Sequence, residues 1–135
     1  MTLVVDAGAM VDVLLHRRRG DAVTEHLLPE AESLWAPDHM DLEVMNAIRR
    51  MTLAKTIGSL RADRAAVDLA DFAVTRHPTS SLAPRVWSLT HNMTPYDAAY
   101  VALTEALPDA TLLTTDARLH RAIDAHTAVA TILVP

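Results

Sequence analysis

The sequence contains no cysteine, which excludes thiol nucleophiles, thiolate metal sites and disulfide bonds. It also lacks any uncharged apolar stretch long enough to span a membrane. The apolar N-terminal run is interrupted by Asp6 and Asp12 and has no basic leader, so it does not predict a signal peptide. We therefore expect a cytoplasmic protein that does not associate with membranes.

Positive charge is scarce, with 12 Lys and Arg against 17 Asp and Glu, a net charge of -5 and a pI near 5.7. This balance excludes a broadly basic nucleic-acid surface but allows local basic patches. Lys55 is the only lysine, and the remaining basic residues are arginines. The planar arginine fork suits phosphate oxygens, although genome composition alone also produces such a bias.

With 135 residues, half of them apolar, the chain predicts a single domain over residues 1–135. Strand and helix patterns alternate almost throughout. We therefore predict an α/β fold of three layers, with a mostly parallel central sheet of four to five strands flanked by helices. The predicted strands are 2–6, 33–36, 75–79, 110–114 and 128–134, and the predicted helices are 9–15, 21–28, 38–56, 60–74, 82–89, 95–107 and 116–126. Gly20 is predicted to supply the C-terminal break after the first of these helices.

Four acids fall where a predicted strand ends or a predicted helix begins or borders its apolar face. They are Asp6, Glu43, Asp97 and Asp116. Open α/β sheets build their sites at such positions, so we expect the four to converge. Converging carboxylates shift toward protonation unless a cation neutralises them, and hard oxygen ligands favour Mg²⁺ or Mn²⁺.

Each acid also has a structural explanation. Asp6 and Asp116 suit helix N-caps, and Asp97 lies three residues after Thr94, the spacing of a capping box. Glu43 fits an ordinary solvated helix acid.

The succession LVVDAGAMVDVLL, LWAPDHMDLEVMNAIRR, HNMTPYDAAYVALTEAL, TLLTTDARLHRA and ILVP resembles the PIN-domain ribonucleases. The resemblance is specifically to the VapC toxins of bacterial toxin–antitoxin pairs and covers essentially the whole chain. It implies a Mg²⁺-dependent endoribonuclease in which Asp6, Glu43, Asp97 and Asp116 surround the metal. Thr114 matches the family's hydroxyl beside the last acid. The chain departs from the pattern at Gly8, where many relatives carry Ser or Thr, so a hydroxyl that orients a ligand is missing.

Further candidates surround these motifs. Asn46, one helical turn from Glu43, is placed to bond substrate or a ligand. His39 and His91 flank motif segments, and Asp12 is interpreted as a solvated or capping residue. The candidate RNA-contacting arginines, which equally fit a solvated turn and an exposed helix face, are Arg17, Arg18, Arg19, Arg118 and Arg121.

The early helices carry more apolar residues than one thin sheet layer needs. The resemblance implies that some bind a VapB-like antitoxin, while core packing and homodimerisation are the other uses. The residues concerned are Met10, Val13, Leu14, Leu27, Leu28, Trp35, Met51, Leu53, Ile57 and Leu60.

A catalytically inactive PIN-like module that binds RNA or protein is the alternative function, motivated by Gly8 and the acidic balance. A phospho-receiver domain is disfavoured because Lys55 falls within a predicted helix. A haloacid-dehalogenase-type phosphatase is disfavoured because Gly8 stands where that family has a second Asp.

Overall fold

The computed structural model describes the backbone of residues 1–135 and all side chains except those of residues 30–32. The five strands are β1 (Thr2–Val5), β2 (Leu34–Pro37), β3 (Thr75–His77), β4 (Ala110–Thr114) and β5 (Ala130–Leu133). The seven α-helices are α1 (Ala7–Leu14), α2 (Arg18–Leu27), α3 (Met40–Leu53), α4 (Ser59–Asp71), α5 (Ala83–Leu89), α6 (Pro95–Ala106) and α7 (Ala117–His126). Short 3-10 turns at Leu28–Ser33 and Ser80–Leu82 precede β2 and α5.

The strands form one sheet in the order β3-β2-β1-β4-β5, and every pairing is parallel. Parallel neighbours need crossover helices, which cover both faces of the sheet. Helices α1 to α4 pack together, while α6 packs on β1, β2 and β4 and contacts α5. The predicted three-layer α/β fold is confirmed. No helix in the described chain is long and apolar enough to cross a membrane.

The central strand β1 is the topological switch point of the sheet. The chain winds from β1 through β2 to β3 in one direction, and β4 and β5 lie on its other side. A crevice opens at the carboxyl ends of the strands where the winding direction reverses. Asp6 follows β1 at this crevice, and the residues that follow β4 lie beside it because Val5 is paired with Leu113.

The core consists of the central strands β1, β2 and β4 and of the helix faces that pack on them, among them those of α1 and α3. Helix α6 is its most buried helix, because its residues from Ala98 to Thr104 are all buried. The near absence of a polar face on α6 predicted this central position, and the structure confirms it. The α6 N-terminus is also as predicted, since Thr94 is the N-cap and Pro95 the first helical residue.

The first two helices differ from the sequence prediction. Helix α1 begins at Ala7, so Gly8 lies inside its first turn and makes no turn of its own. His16, in the left-handed region with φ of 53°, follows the end of α1. Gly20, predicted to break a helix, lies buried within α2. A Cβ at Gly20 would lie 2.1 Å from the carbonyl oxygen of Asp12, so glycine permits the close approach of α2 to α1.

Candidate active site

Asp6 is buried at the seam between β1 and β4. It caps α1, and its Oδ1 accepts a hydrogen bond from the Ala9 backbone N–H at 2.8 Å. Its Oδ2 accepts a hydrogen bond from the Thr114 hydroxyl. The Thr114 oxygen in turn accepts the backbone N–H of Asp116 at 2.9 Å. Thr114 therefore fixes the first and last acids of the sequence pattern relative to one another.

Asp116 and Asp97 both lie in the first turn or cap of a helix that starts at the crevice. Asp116 is the N-cap of α7, and its Oδ1 accepts the N–H groups of Arg118 and Leu119. Asp97 lies in the first turn of α6, where its N–H donates to the Thr94 hydroxyl at 3.2 Å. Capping and site formation are thus compatible roles for Asp116, because the helix that it caps starts at the crevice.

Glu43 is held by two side chains instead of by solvent. The Tyr100 hydroxyl donates to Glu43 Oε1 at 2.8 Å, and His39 Nε2 lies 3.0 Å from the same oxygen. His39 Nε2 also lies 3.2 Å from the carbonyl oxygen of Tyr96. The interpretation of Glu43 as a solvated acid is therefore wrong, since α6 fixes its carboxylate at the crevice.

The four predicted acids line one cleft with a volume of about 220 Å³. Ala7 and Gly8 of α1, Ala47 and Arg50 of α3, Tyr100 of α6 and Thr115 complete most of its wall. Residues from β1, α3, α6 and the β4–α7 junction are thereby brought together from positions throughout the chain. The convergence expected from the sequence is present in the fold.

The carboxylates of the cleft interact electrostatically. Burial, with smaller contributions from the charges of Asp116 and Asp97, raises the pKa of Asp6 to about 6. Burial also raises the pKa of Asp97, and the charges of Asp116 and Glu43 raise it further. Neighbouring carboxylates thus make the ionisation of Asp6 and Asp97 harder, which is the situation that a bound cation relieves.

Glu43 also changes the pKa values of two neighbouring side chains, Tyr100 and His39. Burial, followed by the charge of Glu43, raises the pKa of the Tyr100 hydroxyl far above its usual range. Burial alone would lower the pKa of His39, but its hydrogen bond to Glu43 and the charge of that residue raise it overall. Tyr100 therefore remains a hydrogen-bond donor that orients Glu43.

The donor set consists of carboxylate oxygens, which suit a hard divalent cation. Within the described side chains, no group of three or more acids or histidines is already arranged as a metal site. Asp6 is fixed on both oxygens, whereas Asp97 and Asp116 lie on more exposed helix starts.

Other predicted residues lie outside this cleft. Asn46 is exposed on α3 and is not part of the cleft wall. Asp12, interpreted as solvated or capping, is in fact 1% exposed and paired with Arg17 and Arg19, with its oxygens 3.3 Å and 2.6 Å from their nitrogens. The interpretation of Asp12 as solvated or capping is therefore wrong. The turn after α1 brings α2 back onto α1, and Arg17 and Arg19 thereby reach the Asp12 carboxylate.

The remaining candidate arginines are exposed. Arg118 borders a pocket that it shares with Asp97 and Asp116, so it lies beside the acids. Arg18 lies in the first turn of α2, and Arg121 lies on α7. Of the five candidates, Arg118 is thus the one placed at the acid site.

Sequence reasoning missed three contributors to the cleft. Tyr100 was not singled out, although its spacing from Asp97 places both on one helix face. Arg50 was not singled out either, yet it lies two turns from Glu43 on the cleft side. Thr115 carried no signal of its own.

Gly8 leaves room that a neighbouring hydroxyl fills. A Cβ at Gly8 would lie 3.1 Å from Thr115 Oγ1 and 3.7 Å from Asp6 Oδ1. The Thr115 hydroxyl therefore lies beside the place where many relatives carry one, supplied here by the β4–α7 junction.

No family model matches the chain, but individual relatives do. Ribonuclease VapC1 of Mycobacterium tuberculosis is 45% identical over 118 residues, which are 86% of each chain. The chain belongs to the VapC ribonuclease family. Ribonuclease VapC3 of the same organism is 42% identical over 121 residues, covering 89% of this chain and 86% of that protein. Ribonuclease VapC9 is 38% identical over 117 residues, or 87% of each.

A solved structure has a similar fold. The crystal structure of PAE2754 from Pyrobaculum aerophilum superposes with a TM-score of 0.65, covering 99% of this chain and 90% of that one. At 21% sequence identity the likeness concerns the fold. The resemblance to PIN-domain VapC proteins drawn from the sequence motifs is confirmed.

Proposed function

We propose that this VapC-family chain is a Mg²⁺-dependent endoribonuclease and the toxin of a toxin–antitoxin pair, acting in the cytoplasm. The observation that carries the proposal is the convergence of Asp6, Glu43, Asp97 and Asp116 in one cleft. Relatives named ribonucleases at 38–45% identity support it. In the reaction, water adds to a phosphodiester phosphorus and one P–O ester bond breaks, leaving a hydroxyl and a phosphate monoester.

The four carboxylates would hold the ion, directly or through water. Bound Mg²⁺, or Mn²⁺ in its place, supplies a bound water of lowered pKa and offsets charge on the attacked phosphate. The chain's contribution is to fix the ligands. Thr114 and the Ala9 N–H orient Asp6, while Tyr100 and His39 orient Glu43.

The decisive experiment compares cleavage of RNA by the parent, Asp6→Asn and Asp97→Asn with Mg²⁺ and with EDTA. We expect each substitution to reduce the rate at least about 100-fold, because both remove charge at the site of the ion. Asp63→Asn, an exposed acid on α4 outside the cleft, is the matched control and should cleave like the parent. Cleavage that persists in EDTA and in both cleft variants would overturn the assignment.

Metal binding is measured separately by thermal unfolding. At a Mg²⁺ concentration about 100 times its dissociation constant, the parent should gain about 2.7 kcal/mol of unfolding free energy. Asp6→Asn and Asp97→Asn should gain much less, and Asp63→Asn should gain as much as the parent. Equal gains in all four proteins would place the ion elsewhere.

A catalytically inactive RNA- or protein-binding module is the second candidate. The observation in its favour is that the described acids are not yet arranged around an ion. RNA binding without turnover at saturating Mg²⁺ or Mn²⁺ would support it, and turnover that depends on the four acids would exclude it.

We also propose a VapB-like antitoxin as protein partner. A mostly apolar groove between α1, α2 and α4 has a volume of about 380 Å³ and is lined by Val13, Leu27, Leu28 and Phe72, among others. Leu28 is 69% exposed there, although Leu27 is largely core. Leu28→Asp should weaken co-purification with the antitoxin encoded beside the gene. The surface variant Val67→Asp, on α4 outside the groove, should not.

Homodimerisation is proposed from the apolar side chains left exposed on α5 and at the start of α6, since Trp87 is 76% and Tyr96 62% exposed. Sedimentation at micromolar concentration should give a dimer, and Trp87→Asp should shift it toward monomer. A monomeric parent would contradict this part of the proposal.

A further inference from the structure

Helix α3 directs one arginine into the acid cleft and its neighbour away from it. Glu43, Ala47 and Arg50 succeed one another at spacings of four and three, and all three line the cleft. Arg49 lines a different groove, between α3 and α4, together with Met45 and Ile48. One step of about 100° along the helix separates the two arginines.

The Arg50 guanidinium is unengaged. The Arg50 side chain forms no hydrogen bond or ion pair with any group that the structure describes, in contrast to Arg76 with Asp41 and Arg85 with Glu105. The Glu43 oxygen on its own helix face already accepts from Tyr100 and contacts His39. Arg50 is therefore exposed at the edge of a cleft of four carboxylates with its donors free.

An RNA strand approaching this cleft meets repulsion from the carboxylates before its phosphate can reach the site. A guanidinium at the edge offsets that repulsion and offers two parallel N–H donors to two phosphate oxygens. Arg118 lies by the side that carries Asp97 and Asp116, whereas Arg50 lies on the α3 side. The strand would thus meet one arginine on each side of the acids.

We propose that Arg50 is a substrate-binding residue that contacts a non-bridging phosphate oxygen of the RNA strand at or next to the bond that is cut. This inference rests on the proposed endoribonuclease function and adds to it a residue outside the four acids. It assigns phosphate binding to Arg50 and no part in substrate binding to Arg49, although the two are the same residue type and adjacent in sequence.

Steady-state cleavage of a short single-stranded RNA by the Mg²⁺-loaded protein tests the contact. Arg50→Ala should lower kcat/KM about 10- to 100-fold, the effect of losing a charge-assisted hydrogen bond. Arg50→Lys should recover part of it, since lysine keeps the charge but not the bidentate geometry. Arg49→Ala should stay within about twofold of the parent.

The salt dependence of KM distinguishes a phosphate contact from a structural role, because a structural role would leave it unchanged. The slope of log KM against log salt should become shallower by about 0.7 in Arg50→Ala, one single-strand phosphate contact. Arg49→Ala should keep the parent slope. Equal melting temperatures of Arg50→Ala and Arg49→Ala would show that the difference in kcat/KM between them reflects RNA binding and not stability. Arg50→Ala and Arg49→Ala with equal kcat/KM and equal slopes would overturn the inference.

Failure of this inference is distinguishable from failure of the proposed function. Affinity for fluorescent RNA is measured in the Asp97→Asn background, where no cleavage is expected, with Arg50→Ala or Arg49→Ala added. If the parent does not cleave but Arg50→Ala alone weakens binding, the nuclease assignment fails and the phosphate contact stands. If the parent cleaves and both additions bind equally, the contact is refuted and the nuclease assignment stands.

Discussion

Asp6 and Asp12 are buried acids at opposite ends of α1, and they differ in whether a cationic side chain compensates their charge. Asp12 is 1% exposed and paired with Arg17 and Arg19. Asp6 is 6% exposed and receives only a hydroxyl and a backbone N–H. A buried charge that is compensated inside the chain serves the fold. A buried carboxylate that has no cationic partner is available to a ligand, and Asp6, not Asp12, is the one that lines the cleft.

The largest expected effect concerns the Asp12 end. Gly20→Ala places a Cβ 2.1 Å from the Asp12 carbonyl oxygen and 2.5 Å from its carbon, so α2 must move away from α1. We expect a loss of about 3 kcal/mol or more in unfolding free energy, measured by urea denaturation. Gly58→Ala, where a Cβ meets open space, should cost under about 1 kcal/mol. Similar losses at both glycines would mean that the α1–α2 contact is not tight.

The uncompensated carboxyl of Asp6 should make the unfolding free energy depend on pH. The pKa of Asp6 in the folded protein is about 6 against 3.8 for a free side chain. Between these values the folded state holds a proton that the unfolded state has released, so stability falls as pH rises through this window. In EDTA, the parent should lose about 2 kcal/mol between pH 4 and pH 7 on this account. Asp6→Asn should lack this component, and an identical pH profile in both proteins would refute the assignment.

Removing the compensated charge should affect stability without removing activity. Asp12→Asn leaves the Arg17 and Arg19 guanidinium groups without their anion, and we expect a loss of about 2 kcal/mol at pH 7. RNA cleavage below the melting temperature should stay close to that of the parent, because Asp12 lies outside the cleft. Asp6→Asn is the counterpart, with cleavage abolished. If Asp12→Asn abolished cleavage while remaining folded, the division between the two acids would be wrong.

The smallest effect is expected at Gly8. The serine that Gly8→Ser introduces brings a second hydroxyl beside Thr115 Oγ1, which must shift by a few tenths of an ångström. Since the Thr115 hydroxyl already lies there, cleavage should change less than about threefold, far below the 10- to 100-fold typical of losing a group that orients a ligand. A large gain in Mg²⁺ affinity would show instead that the site lacks a hydroxyl.

Local signals account for what the sequence predicted well. Strand β4 has the predicted bounds, and the Thr94-Pro95 start of α6 follows from capping chemistry that involves neighbouring residues only. The acids Asp6, Asp97 and Asp116 were found because they end strands or start helices.

The remaining features depend on contacts between distant segments. Gly20 was misinterpreted because its small size is required by a neighbouring helix and not by its own backbone. The role of Tyr100 depends on Glu43, 57 residues earlier in the chain. The burial of Asp12 could not be recognised before the turn at His16 was known, since that turn returns Arg17 and Arg19 to it.

The pairing of β1 with β4 has a consequence for when the protein becomes capable of chemistry. The hydroxyl that holds Asp6 belongs to Thr114, 108 residues further along the chain. During synthesis Asp6 therefore has only its local hydrogen bond from the Ala9 N–H until nearly all of the sequence has emerged and β4 has inserted beside β1. A growing chain has no assembled cleft, so the four acids meet only when the polypeptide is almost finished.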